Sequence, residues 1–255
     1  MRYAMYYMQP LMIMGIALAA SCATFLGGAL ALKLKDKLHL VLGFSAGAIL
    51  AVAFFDLIPE SLELGAGVFE ASTLITCTAI GFFIYTVLDR FILLHTHSDG
   101  DHGVHTHTGT NTRGLAGAGS LSAHSFLDGF AIGLAFQASI AVGAVVATAV
   151  LVHDFSDGIN TVNLILKNGG SRAEALKWLL VDAAAPALGA FTTLFFVFPS
   201  DILAVILATF AGFFLYIGAA DLLPESHHAH PRLMTTVMTL LGAGLLYLVI
   251  QLAGG

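Results

Sequence analysis

Apolar positions run along this chain in blocks the length of a membrane crossing. A spanning helix needs about 20 mostly apolar residues. Leu11–Leu32 is one such block and carries no charge. Leu40–Ile58 is a second, charged at Asp56 near its end, and Ala71–Leu88 is a third. The stretch from Leu115 to Val152 is too long for one helix and is broken by Gln137 and Ser139. Split there, it gives Leu115–Phe136 and Ile140–Leu166. Ala173–Phe198, Ile202–Ala220 and Leu233–Leu252 complete a set of eight helices. Between the fifth and sixth, Gly169 or Gly170 can end one helix in a left-handed cap. Ser171 and Glu174 then have the spacing of a capping box that starts the next. Ala19-Ala20-Ser21-Cys22 has some look of a processing site. A single Arg precedes it and the apolar run continues past it, so the segment reads as a span and not as a removed leader.

Composition strengthens the pattern. Apolar residues make up 58% of the 255 positions and charged residues 10%, against roughly 25% charged in a soluble domain. Mean hydropathy is +0.89. No soluble fold of this size hides that much apolar surface, so the lipid bilayer is the expected surrounding. This excludes a soluble enzyme and a disulfide-rich secreted module. The net charge of -6 argues against nucleic acid as a partner. Cys22 and Cys77 lie within apolar runs and read as small buried hydrophobes, not as a disulfide.

Basic residues set the orientation. With the N-terminus outside, the inner side holds Lys33, Lys35, Lys37, Arg90, Arg113, Lys167, Arg172, Lys177 and Arg232, and the outside keeps Arg2 alone. Eight spans then leave both termini outside. The chain reads as one transmembrane domain, residues 1–255, with one long loop at 95–113 on the cytoplasmic side. That loop carries His95, His97, His102, His105 and His107 with Asp99 and Asp101. His39, His227, His228 and His230 are also expected on the inner side.

Two segments repeat. Asp56-Leu57-Ile58-Pro59-Glu60-Ser61 closes the second helix and Asp221-Leu222-Leu223-Pro224-Glu225-Ser226 closes the seventh. The two copies exit on opposite sides. This is the mark of an inverted repeat, common among transporters, and it gives a 3+2+3 arrangement in which helices 1–3 mirror helices 6–8.

The chemistry lies in residues that do not belong in lipid. Asp128, Asp154, Asp157 and Asp182 sit inside apolar runs, with His124 and His153. Ionisable groups at that depth cost several kcal/mol each and are functional candidates by default. His124 and Asp128 are four apart and share a helix face, as do His153 and Asp157. Two turns echo each other: His124-Ser125-Phe126-Leu127-Asp128-Gly129 and His153-Asp154-Phe155-Ser156-Asp157-Gly158. At a rise of about 1.5 Å per residue, they and Asp182 reach one level near the bilayer middle. Without a basic partner, these carboxylates must stay protonated or bind a cation. Imidazole with carboxylate suits Zn²⁺, Fe²⁺, Mn²⁺ or Cd²⁺, and the ligands suffice for two adjacent ions. Ser125, Asn160 and Asn163 are weaker candidates, because small polar residues often bond between helices.

This pattern resembles the ZIP (Zrt/Irt-like) family of divalent metal transporters, of the bacterial or archaeal type. In bacterial members the fourth-helix motif looks like His-Asn-Phe-Pro-Glu-Gly. Here Ser125 stands for Asn, Leu127 for Pro and Asp128 for Glu. On the fifth helix Ser156 replaces Pro and Asp157 replaces Glu. The sixth-helix acid is replaced by Pro186, with Asp182 one turn earlier. The resemblance implies a two-ion site of His124, Asp128, His153, Asp154, Asp157, Asp182 and Ser125. It also implies a homodimer in the cell (inner or plasma) membrane and a first, fourth, fifth and sixth helix that slide against the rest. The metal is cargo in this reading, and no cofactor is expected.

Three functions compete at this stage. One is a transporter moving Zn²⁺ or related ions into the cytoplasm. Another is a membrane-embedded metalloenzyme of hydrolase or di-iron oxidase type. It would need an open coordination position and a base, and neither His-Glu-x-x-His nor a nucleophile beside the acids is present. The third is a proton-driven carrier of an organic substrate, which would need a larger polar cavity. The expectation is a transporter and not an enzyme.

Overall fold

The computed structural model describes residues 2–32, 38–97, 112–228 and 233–253. All regular structure among them is helical, in eight long elements. These are α1 (Arg2–Ala31), α2 (38–64), α3 (Ala71–His97), α4 (Thr112–Ala138), α5 (Ile140–Lys167), α6 (Arg172–Thr193), α7 (200–228) and α8 (Leu233–Ala253). Seven contain a stretch long and apolar enough to cross a membrane. The exception is α4, whose Ser120, Ser122, His124, Ser125 and Asp128 dilute its apolar residues. It is the element that carries half of the polar cluster.

The junctions show why the chain breaks where it does. Ser139 is extended (φ -158°) and its hydroxyl accepts Val142 N–H at 3.1 Å, capping α5 one residue after α4 ends. At the far end of α5, Gly169 takes φ 84°. Gly170 N–H reaches Ile165 O at 2.9 Å and Gly169 N–H reaches Leu166 O at 3.2 Å, a Schellman closure. Ser171 and Glu174 then form the capping box on α6.

Several boundaries depart from the sequence expectation. The third apolar span is Ala71–Leu88 as expected, but its helix continues to His97, so the first two histidines of the expected loop stand on the end of α3. Residues 98–111, with the other three, lie outside the described residues, as does His230. Helix α1 begins at Arg2, well before Leu11. Helix α6 stops at Thr193 and not at Phe198. Gln137, from the end of α4, donates to Thr193 O at 3.2 Å and to Phe196 O at 2.7 Å and accepts from Phe198 N–H at 3.1 Å. Its amide thereby replaces the helical bonds this segment would otherwise form. The cysteines are free, as expected, but not buried: Cys22 is exposed and Cys77 intermediate, the latter packed against the edge of the Leu74, Ala204 and Ala208 cluster.

The repeated motif does not close its helices either. In α2 the α-helix Leu38–Val52 widens into a π-helical turn, Ala53–Leu57, and resumes as Ile58–Leu64. In α7 the α-helix Ser200–Tyr216 widens at Ile217–Leu222 and resumes as Leu223–His228. Each wide turn ends two residues before a proline, Pro59 or Pro224. Proline has no N–H to give and its ring crowds the carbonyl one turn back. Placed at the start of a fresh α-helical segment it loses nothing, because the first N–H groups there have no partner in any case. The widened turn lets the helix pass through both prolines.

Packing carries the same duplication. Helix α1 packs along α5 and α6, α4 along α6 and α5, α2 along α8, and α3 along α7. Exchanging 1 with 6, 2 with 7, 3 with 8 and 4 with 5 turns α1–α5 into α6–α4 and α2–α8 into α7–α3. The contacts therefore have the internal symmetry of a 3+2+3 repeat. The glycine of each His-x-x-x-Asp-Gly turn makes a close approach: a Cβ on Gly158 would strike the Thr24 carbonyl of α1, and one on Gly129 the Pro186 carbonyl of α6. Small residues let helices approach this closely in lipid.

Candidate metal site

The two polar turns meet at the seam between α4 and α5. Their i, i+4 spacing points His124 and Asp128 off one face of α4, and His153 and Asp157 off one face of α5. All four are buried, between 0% and 4% exposed. One ligand atom from each lies within 4.8 Å of the others. His124 Nε2 stands 3.1 Å from Asp128 Oδ2 and 3.4 Å from Asp157 Oδ2. His153 Nε2 stands 3.2 Å from Asp128 Oδ2 and 3.9 Å from Asp157 Oδ2. A tetrahedron with metal–ligand bonds of about 2.0–2.1 Å has edges of about 3.3 Å. The four nitrogen–oxygen edges here bracket that value, so two imidazoles and two carboxylates stand close to the shape of an N₂O₂ site.

Hydrogen bonding explains why these atoms face one another. His153 Nδ1 is 2.9 Å from the Ala149 carbonyl. A carbonyl can only accept, so Nδ1 carries a proton and donates it. In a neutral ring Nε2 then holds a lone pair, and it faces a carboxylate oxygen at 3.2 Å. Two electron-rich atoms at that distance are stable only with a proton or a cation between them. His124 Nε2, Asp157 Oδ2 and both oxygens of Asp154 are buried and make no hydrogen bond. From Arg113 to Lys167 the sequence has no intervening Lys or Arg. Buried polar atoms without partners cost about 1–3 kcal/mol each, and a divalent ion would satisfy this group together.

The remaining sequence candidates divide. Asp154 Oδ1 is 3.7 Å from His153 Nε2, at the edge of the cluster. Asp182 sits to one side, with both oxygens occupied: Ser125 donates to Oδ1 at 2.8 Å and Thr161 to Oδ2 at 2.7 Å. It ties α4 and α5 together from α6, and Ser125 is spent on that bond. Sequence reasoning missed Thr161 and also Tyr85, whose hydroxyl lies 3.1 Å from His124 Nδ1. Their only signal was a hydroxyl within a membrane-length helix.

Fold and site together define a multi-pass helical membrane protein with a buried His/Asp cluster suited to a divalent ion. The chain belongs to the ZIP zinc transporter family, whose model, "ZIP Zinc transporter", matches residues 95–250. It is similar to Zinc transporter ZIP10 of Homo sapiens, 31% identical over 142 residues, covering 52% of this chain and 17% of that protein. Zinc transporter foi of Drosophila melanogaster is 30% identical over 119 residues, 47% of this chain and 17% of its own length. Zinc transporter YKE4 of Saccharomyces cerevisiae is 26% identical over 166 residues, 60% of this chain and 47% of its own. The chain thus spans less than half the length of each of these relatives. They are animal and fungal proteins and do not bear on the bacterial or archaeal type suggested by the motif spelling.

Proposed function

We propose that this chain moves divalent transition-metal ions, Zn²⁺ foremost, into the cytoplasm through a site built from His124, Asp128, His153 and Asp157. The observation that carries this reading is the set of four nitrogen–oxygen edges of 3.1–3.9 Å in a buried layer. An ion entering it exchanges its water shell for ligands that otherwise face one another unfavourably. Asp154, with two unpartnered oxygens beside Asp157, is the ligand we assign to a second ion, and Asp182 braces the helices or joins that second position. Asp at the places where the resembled motifs carry Glu shortens the reach of both acids, which favours a compact site.

A transporter fits this site better than the metalloenzyme, because the hydroxyls that stand beside an acid, those of Ser125 and Thr161, are committed to Asp182, and the family model matched is that of a zinc transporter. The bias of Lys and Arg supports both termini outside and the loop at 95–113 in the cytoplasm. The segment 95–113, whose five histidines include His95 and His97 on the end of α3, acts as a receiving or sensing segment and not as an obligatory step. A homodimer in the cell (inner or plasma) membrane completes the proposal. The test is ⁶⁵Zn²⁺ uptake into proteoliposomes, with Fe²⁺, Mn²⁺ and Cd²⁺ as competitors. Saturable uptake lost in Asp157→Ala supports the reading. Uptake no faster than in empty liposomes overturns it.

A further inference from the structure

The two histidines of the cluster are held in different ways. His153 is steadied within its own helix, by the Ala149 carbonyl one turn back. His124 has a side chain at the same position: its Nδ1 lies 3.1 Å from the hydroxyl of Tyr85, on α3. The Tyr85 ring is itself confined. It packs against Phe213 and Tyr216 of α7, with centroids 5.6 and 5.2 Å away, and meets the His124 ring edge-on at 6.0 Å and 86°. A phenol wedged between two rings of a neighbouring helix has few places to put its oxygen.

We propose that Tyr85 is a positioning residue for the ion site, its hydroxyl oxygen accepting Nδ1–H from His124 and so reserving Nε2 for the ion. This rests on the reading of the cluster as an ion site. A neutral imidazole has one N–H. If it stood on Nε2, it would lie between Asp128 Oδ2 and Asp157 Oδ2, yet Nε2 makes no hydrogen bond to either. With the proton on Nδ1, the Tyr85 oxygen satisfies it and the Nε2 lone pair points into the cluster. The tautomer then matches that of His153, and both rings offer the same atom. Outer partners of this kind fix the orientation of metal-bound histidines and add to their basicity. Their loss costs about 10- to 100-fold in metal affinity.

The sequence does not show this contact, because 39 positions separate the two residues. What joins them is the packing of α3 against α4 beside the α3–α7 pair. The two imidazoles thus answer to different parts of the fold: His153 to its own helix, His124 to a neighbouring one.

The experiment uses the purified full chain in detergent, with Zn²⁺ affinity read by competition with a chromophoric chelator and histidine nitrogens read by ¹⁵N NMR. Tyr85→Phe keeps the ring and removes the hydroxyl. The expected result is Zn²⁺ binding weakened about 10- to 100-fold with an unchanged thermal midpoint. In the zinc-loaded wild type, the His124 Nδ1–H should be hydrogen-bonded and slow to exchange, and in Tyr85→Phe it should lose that hydrogen bond and exchange fast, while the His153 Nδ1–H stays bonded to Ala149 O. An affinity within twofold of wild type, or coordination of His124 through Nδ1, overturns the proposal while leaving the ion site standing. Absence of Zn²⁺ binding by the wild type overturns both. Should Tyr85→Phe fail to fold, the wild-type spectrum decides: an Nδ1–H of His124 hydrogen-bonded to the Tyr85 oxygen supports the proposal, and one that exchanges freely with water overturns it.

Discussion

Asp128 and His153 face each other at 3.2 Å across the α4–α5 seam, carboxylate oxygen to imidazole Nε2. Because the other ring nitrogen already donates to the Ala149 carbonyl, this pair needs a proton or a metal ion between its two atoms. Asp128 makes the same approach to His124 at 3.1 Å. One carboxylate oxygen therefore links both rings, and it is the element of the site whose loss should cost most.

Replacing Asp128 by Ala should abolish ion uptake while leaving the protein in the membrane. Its effect on Zn²⁺ affinity should exceed the about 10- to 100-fold expected when only a supporting residue is lost. His124→Ala and Asp157→Ala should behave alike. Uptake in proteoliposomes and affinity on the purified protein are the paired measurements, and near-normal uptake in any of the three would remove that residue from the site.

Acidification should weaken metal binding. Imidazole and carboxylate must be deprotonated to coordinate, so ion and proton compete for the same atoms. Affinity should fall by about tenfold per pH unit for each proton displaced, since one unit is 1.36 kcal/mol. Titrations between mildly acidic and neutral pH read the slope directly. A flat profile would mean that these groups bind no proton in the ion-free protein.

Asp182→Ala should cost stability more than it costs affinity. It strands the hydroxyls of Ser125 and Thr161 in a buried layer, at about 1–3 kcal/mol for each group left without a partner. Asp182→Asn keeps one acceptor oxygen and should lose less. Thermal midpoints in detergent beside Zn²⁺ affinities separate a brace from a ligand: a ligand would lose affinity as severely as Asp157→Ala.

Gly158→Ala and Gly129→Ala should each be destabilising, because the added Cβ meets a backbone carbonyl of the facing helix and not a movable side chain. Overpacking of this kind costs about 1–3 kcal/mol, and more where the backbone must shift. Gly15→Ala is the control, since nothing lies within 4 Å of a Cβ there. Thermal unfolding of the three variants should show two large losses and one near-neutral change.

Replacing residues 98–111 by a Gly/Ser linker of equal length should leave basal uptake in place and alter the response to high external Zn²⁺. Uptake measured over a range of Zn²⁺ concentrations tests this, and complete loss of transport at normal abundance would make the loop an obligatory part of the path.

The sequence by itself determined the membrane setting, the helix breaks at Ser139 and at Gly169–Ser171, and the polar residues of the core. Each of these is a local property. Hydropathy fixes a span over about 20 residues. Ser139, Gly169 and the Ser171–Glu174 box act within one turn, and spacing of four puts His124 with Asp128 and His153 with Asp157 on shared faces. The duplicated Asp-Leu-x-Pro-Glu-Ser segment is legible for the same reason. Its effect is not: the prolines are read locally as helix ends, whereas in the fold a widened turn carries the helix past them. Only the tertiary structure decided which polar atoms meet. Tyr85 reaches His124 from another helix, Asp182 turns to the hydroxyls of Ser125 and Thr161, and Gln137 ends α6 from the tip of α4. Such pairings depend on how helices cross and how near glycines let them come, and a one-dimensional pattern of residue types carries neither distance nor angle.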